Sequence, residues 1–143
     1  MPDSPAVADG VDHAHAELIA ADPFCSFVGI ELIAVEPGAA ETALTVTADH
    51  LNFHGVAHGG IVYTLADAAF AAASNAHGPT ALALETNTSY LEAIEEGTAL
   101  RATATETHWT ERTAEYEVVV TDGGGDGDRV ASFRGRVYRP DGN

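Results

Sequence analysis

With 143 residues and 45% apolar content, the chain has the length of one compact domain and enough apolar side chains to bury a core. Its 22 acidic residues face only 6 basic ones, all arginine, and the formal charge of −16 argues against nucleic acid or an anionic membrane as a partner. No run approaches the roughly 20 apolar residues of a membrane span, the first sixteen residues contain no secretory apolar region, and a lone Cys25 has no intrachain disulfide partner, so a cytoplasmic protein is expected.

The carboxylates are scattered through periodic segments rather than gathered in a tail, which speaks for a folded acidic surface. With lysine absent, the composition resembles that of proteins from salt-in halophiles. Such a surface repels itself in dilute buffer, and salt screens it, the Debye length being about 3 Å at 1 M.

Residues 1–11 are read as a flexible N-terminus ahead of a single domain over 12–140. Ala14, Leu18 and Ala21 lie at helical spacing over 12–21, and Pro23 is expected to stop that helix. Strands are predicted over 27–35 and 39–47 around Pro37-Gly38, the second alternating Leu44, Val46 and Ala48 against Ala43, Thr45 and Thr47. Residues 49–60 are irregular and broken by glycine. From 61 to 75 the chain has neither Gly nor Pro and is rich in alanine, which predicts one long helix. That helix is apolar all round, with no polar stripe, and should be buried on most sides. Gly78-Pro79 closes it, and strands follow over 81–91, 98–108, 114–121 and 129–138. Leu100, Ala102 and Ala104, then Tyr116, Val118 and Val120, alternate with polar neighbours, so one sheet face is solvated. The economical packing is an α+β domain, an antiparallel β-sheet wrapped around one long central α-helix.

Gly59 and Gly60 fall at the start of that helix, where the first N–H groups lack intrahelical partners and the dipole is positive. Two readings stand: an oxyanion site open to a carbonyl because Cβ is absent, or a tight loop-to-helix turn. Asp67, the only acid between Asp49 and Glu85, lies roughly 10 Å along the same side of the helix. It is either a working carboxylate at a cleft or a structural one bonded to a loop. His50, His54 and His58 would line one face of a helix as metal ligands, but Gly55 and Gly59 mark the stretch as loop, and no metal is expected. The segment 122–128 superficially resembles a calcium loop and lacks its bidentate Glu; a hairpin turn is expected.

The run His50-Leu51-Asn52-Phe53-His54-Gly55-Val56-Ala57-His58-Gly59-Gly60, followed by Leu65-Ala66-Asp67-Ala68-Ala69-Phe70, resembles the motif of the phenylacetic-acid-degradation (PaaI-type) hotdog thioesterases. The similarity extends from about Ala16 to Tyr138 and includes Asp22-Pro23-Phe24 and Phe133-Arg134-Gly135. It implies a hotdog fold and hydrolysis of an aromatic, phenylacetyl-type, or medium-chain acyl-CoA to free acid and CoA. By the same resemblance the Gly59 N–H polarises the thioester carbonyl and Asn52 positions carbonyl or water. Asp67 of the facing subunit is nucleophile or general base, and His58 shapes the loop. No cofactor is implied, CoA being part of the substrate, and the assembly is a homodimer or a homotetramer built as a dimer of dimers. In some relatives a Ser or Thr on the strand after the helix holds the attacking water; this sequence has Ala83 at that place, so the role is either unfilled or supplied by Thr86 or Ser89. For the CoA phosphates the candidates are Arg112 and Arg134, with Gly60 at the helix start, against the alternative of surface charge pairs. Two rival readings remain. A hotdog dehydratase or hydratase would need a His paired with the helix acid, and a non-catalytic acyl-CoA-binding regulator would have lost Asp67.

Overall fold

The computed structural model describes residues 4–123 and 127–142. A short strand β1 (Ala6–Val7) precedes helices α1 (His13–Ala20) and α2 (Pro23–Val28) and the hairpin of β2 (Glu31–Glu36) and β3 (Ala39–Thr45). The long helix α3 (Gly59–Asn75) follows, then β4 (Leu82–Tyr90), β5 (Ala99–Trp109), β6 (Thr113–Asp122) and β7 (Arg129–Tyr138). The strands form one sheet in the order β1-β2-β3-β5-β6-β7-β4, antiparallel except where β1 joins β2. No helix among the described residues is long and apolar enough to cross a membrane.

The sheet wraps α3 as the alternation predicts. Leu44 and Val46, Leu100, Ala102 and Ala104, and Tyr116, Val118 and Val120 are all buried on the helix side. Alanines are buried on both partners, Ala102 and Ala104 on β5 and Ala66, Ala69 and Ala73 on α3, and their small side chains let the helix axis come close to the strands. Phe70 fills the wider space, its ring centroid 5.7 Å from Tyr116 and 5.5 Å from Phe133. Gly135 makes that possible: a Cβ there would stand 2.7 Å from the Phe70 ring.

Several local readings are corrected. Within residues 1–11, Ala6 and Val7 pair with Ala34 and Val35, extending the sheet by a strand the sequence does not announce. The first helix buries Ala16 and leaves Leu18 71% exposed, so the stripe of Ala14, Leu18 and Ala21 is not its inner face. Pro23 starts a helix instead of merely stopping one. Asp22 caps α2 by accepting the Cys25 N–H at 3.0 Å, and proline suits a first-turn position whose N–H has no helical acceptor. Gly29, at φ 91°, ends α2, which pushes the strand expected from residue 27 back to Glu31. α3 begins two residues early, at Gly59. It also carries the open stripe that its composition hides: Gly60, Thr64, Asp67 and Ala71 escape full burial, while Leu65, Ala66, Ala69, Phe70, Ala72 and Ala73 are buried. In the loop between β6 and β7, the Asp122 N–H donates to the Asp128 carbonyl and the Asp128 N–H to the Asp122 carboxylate, both at 3.0 Å; Gly124, Gly125 and Asp126 lie outside the described residues.

Candidate active site

The loop before α3 is built by Asn52. Its Oδ1 accepts the N–H groups of His54 (3.0 Å) and Val56 (3.3 Å), its own N–H donates to the Val56 carbonyl, and the Gly55 N–H returns to the Asn52 carbonyl. Gly55, at φ 86°, supplies the left-handed residue such a tight loop needs. Because two backbone donors fix Oδ1, the orientation of the side-chain amide is set and its NH₂ faces away from the loop. The amide is therefore presented before any ligand arrives.

The three histidines of this stretch take separate partners. His50 accepts the Thr47 N–H on Nδ1 (2.9 Å), so its Nε2 carries the proton and donates to the Val28 carbonyl at 2.7 Å. His54 stacks on Phe53, whose ring is 93% exposed. His58 caps α3: its Nδ1 accepts the Gly60 N–H at 2.8 Å, leaving an Nε2–H on an exposed ring. Among the described residues no group of His, Cys, Asp or Glu converges as a metal site would.

With the Gly60 N–H taken by His58, the first-turn amide left over is that of Gly59. Among the described residues it donates to no protein acceptor, whereas the carbonyl of the same peptide, His58 C=O, accepts the Ile61 N–H at 3.0 Å. A single directed donor at a helix N-terminus, on a residue with no side chain, can receive a carbonyl oxygen that gains negative charge. Of the two glycines, Gly59 carries the N–H left without an acceptor among the described residues, while the Gly60 N–H is held by His58.

Asp67 lies eight residues further along α3, about 12 Å at 1.5 Å per residue. It faces a cavity of about 500 Å³ between α3 and the α1–α2 pair, lined with Leu18, Ile19, Phe24, Cys25 and Ile30. Desolvation holds the Asp67 carboxyl above the usual aspartate range, and the negative charge of Asp22 adds to the effect. The Cys25 thiol in the same wall is pushed up to about 12, by burial first and then by Asp22, so it stays protonated. Asp22 and Cys25 are the parts of this site that the sequence reading misses, although an Asp-Pro pair is a readable helix start.

The remaining expectations fare differently. Ala83 pairs with Val137, on the helix side of β4, and offers only a methyl group. Thr86 is on the same side, where its hydroxyl bonds Tyr63 at 2.8 Å. Ser89 faces outward beside Ser132 and Arg134. Arg134 is exposed on the outer face of β7 between Asn87 and Glu117, at a shallow cavity of about 220 Å³ that Arg129 also lines. Arg112 donates to the Pro140 carbonyl at 3.0 Å. Neither arginine is in contact with the Gly59 loop. The fully buried Arg139 is structural: it donates to the carbonyls of Thr110, Glu111 and Thr113 and lies 3.7 Å over the Trp109 ring.

Comparison with known proteins matches the thioesterase superfamily profile to residues 54–128, just over half of the chain and including Gly59 and Asp67. The chain belongs to the thioesterase superfamily. The acyl-coenzyme A thioesterase PaaI of Escherichia coli is 35% identical over 127 residues, 89% of each chain. The structure of that protein, from the phenylacetic acid degradation operon, superposes with a TM-score of 0.84, covering 91% of this chain and 94% of its own at 34% identity. A point mutant of the phenylacetic acid degradation protein PaaI from Thermus thermophilus gives 0.78 at 44% identity, over 82% of this chain and 99% of its own. A Streptococcus mutans protein solved bound to acetyl-CoA gives 0.72 at 25% identity, over 77% and 87%. The sheet around α3 is thus the hotdog fold of a thioester hydrolase, and Gly59 and Asp67 fall within the part of the chain that the superfamily profile spans.

Proposed function

We propose that this thioesterase hydrolyses acyl-CoA, with a phenylacetyl-type or medium-chain acyl group, and works in the cytoplasm as a homodimer or a dimer of dimers. The observation that carries the reading is the Gly59 N–H at the start of α3, which has no protein acceptor among the described residues, together with an Asn52 amide whose orientation the loop has already fixed. The thioester carbonyl oxygen accepts from Gly59, and Asn52 positions the carbonyl or the water. As charge moves onto that oxygen, the α3 dipole favours it.

As the resemblance implies, Asp67 of the facing subunit is the general base or the nucleophile; the Asp67 of the same chain stands about 12 Å from Gly59 along the helix, too far to serve the same carbonyl. As general base it takes a proton from water, the hydroxide oxygen bonds to the acyl carbon, and the C–S bond breaks. The proton then passes to the departing thiolate, giving acid and CoA thiol. As nucleophile it would form an anhydride with release of the thiolate, and water would cleave that anhydride, giving back the carboxylate and supplying the proton that leaves CoA as the thiol. Its raised pKa suits either role, since a more basic carboxylate is the better proton acceptor and the better nucleophile. The apolar wall of Leu18, Ile19, Phe24 and Ile30 fits an aryl or alkyl group better than a polar one. Arg134, with Arg129 beside it, and Arg112 are the candidates to hold CoA phosphates.

The test is a panel of acyl-CoA thioesters with thiol detection, in molar KCl and in low salt. The reading requires aromatic or medium-chain acyl-CoA to be cleaved and Asp67→Asn to lower kcat by about 10²–10⁴ with little change in KM. Near wild-type turnover by Asp67→Asn would sink it.

A further inference from the structure

Tyr90, the last residue of β4, makes a contact that neither its place on an edge strand nor the proposed reaction explains. Its hydroxyl donates to the Gly59 carbonyl at 3.0 Å, across 31 residues of sequence. Its ring lies so close to the same residue that a Cβ on Gly59 would stand 3.2 Å from Cζ and 3.4 Å from Cε1. Yet Tyr90 is 55% exposed, so burial does not account for its position.

The carbonyl of Gly59 and the N–H of Gly60 belong to one rigid peptide plane. Tyr90 holds the oxygen end of that plane and His58 Nδ1 holds the N–H end, at 2.8 Å. The preceding plane, which carries the free Gly59 N–H, is tied by its own carbonyl to Ile61. Two glycines at the first turn would otherwise leave both planes loose, since neither has a side chain to restrict φ and ψ and a helix end frays. The clamp removes that freedom on the side where the donor must point.

Building on the thioesterase reading, we infer that Tyr90 is a positioning residue for the Gly59 donor: its hydroxyl and ring fix the Gly59–Gly60 peptide so that the neighbouring N–H is aimed at the incoming carbonyl. Tyr90 does not itself touch the reacting atoms. Preorganised donors act because no reorganisation is needed when charge develops, so a loosened clamp lowers turnover more than it lowers binding.

The experiment compares wild type, Tyr90→Phe and Asp67→Asn on the best acyl-CoA of the panel. Tyr90→Phe keeps the ring and removes the hydroxyl; kcat is expected to fall about tenfold, with KM within about twofold and Tm unchanged. An unchanged kcat, or a raised KM with kcat intact, overturns the inference, while a strongly impaired Asp67→Asn in the same assay leaves the thioesterase reading standing. If the wild type cleaves no thioester at all, both fall. A second measurement tests the ring contact by Tm alone. Gly59→Ala should destabilise the wild-type background more than it destabilises Tyr90→Ala, where the added Cβ has lost its neighbour; equal losses in the two backgrounds overturn the contact.

Discussion

If Asp67 serves the Gly59 of the facing subunit, two inactive variants should restore each other. Gly59→Pro is the sharp way to remove the donor, because among the described residues its N–H serves no protein acceptor and proline is favoured at the first helical position. His58 already has the extended backbone, φ −62° and ψ 134°, that a following proline requires. The new Cβ would press on the exposed Tyr90 ring at 3.2 Å, which a shift of a few tenths of an ångström relieves. Loss of one such donor costs about 10²–10³ in kcat, and Asp67→Asn about 10²–10⁴. Within one chain the two positions are about 12 Å apart, beyond the reach of an aspartate side chain. In a randomly mixed dimer population half the molecules are hybrids, and each hybrid has one site with both defects and one with neither. Co-expression of the two variants in equal amounts, followed by thiol-release assay, should therefore recover about a quarter of wild-type activity. Activity no higher than the mean of the two parents would refute a site shared between subunits.

The raised pKa of Asp67 has two further consequences. The acid limb of kcat should lie above the usual aspartate range and vanish in Asp67→Asn. A carboxyl whose folded pKa is raised contributes stability fully at acid pH and loses it as pH rises through the folded value, so Asp67→Asn should match wild-type Tm in acid and exceed it at neutral pH. Gly135→Ala drives a methyl into Phe70, which Tyr116 and Phe133 hold in place; it should cost about 1–3 kcal/mol in denaturant melts, and Phe70→Leu in the same chain should recover part of it. Cys25, pushed up to about 12, should react with iodoacetamide at pH 8 far more slowly than free cysteine, and equal rates would remove its desolvation. Finally, the charge of −16 predicts a Tm that falls as KCl is lowered from molar to millimolar, and a constant Tm would contradict a salt-adapted surface.

The centre of the sheet is legible in the sequence because β5 and β6 alternate there: every buried position from Leu100 to Ala104 and from Tyr116 to Val120 follows period two. The loop and helix start are legible for a different reason, in that Asn52, His58 and Gly59 sit at fixed spacing in one continuous segment. Orientation is what the sequence hides. Alanine is equally at home buried or exposed, so the open stripe of Gly60, Thr64, Asp67 and Ala71 has no contrast against the buried faces of α3, and the same ambiguity conceals the inner face of α1. α2 escapes notice because proline ends one helix as readily as it begins the next, and only the Asp22 cap tells which. Tyr90 and Arg139 depend on contacts between distant segments, and no local pattern separates a strand-end tyrosine or arginine that does structural duty from one that faces water.

Arg139 and Tyr90 stand at opposite ends of one strand pair. Among the described residues β4 has one neighbour, β7, and β7 ends at Tyr138, immediately before the arginine that is buried among three carbonyls and the Trp109 ring. The antiparallel register pairs Leu82 with Tyr138 at the arginine's end and Tyr90 with Ala131 at the other. One strand pair thus has at one end a guanidinium buried among backbone carbonyls and at the other the hydroxyl that holds Gly59.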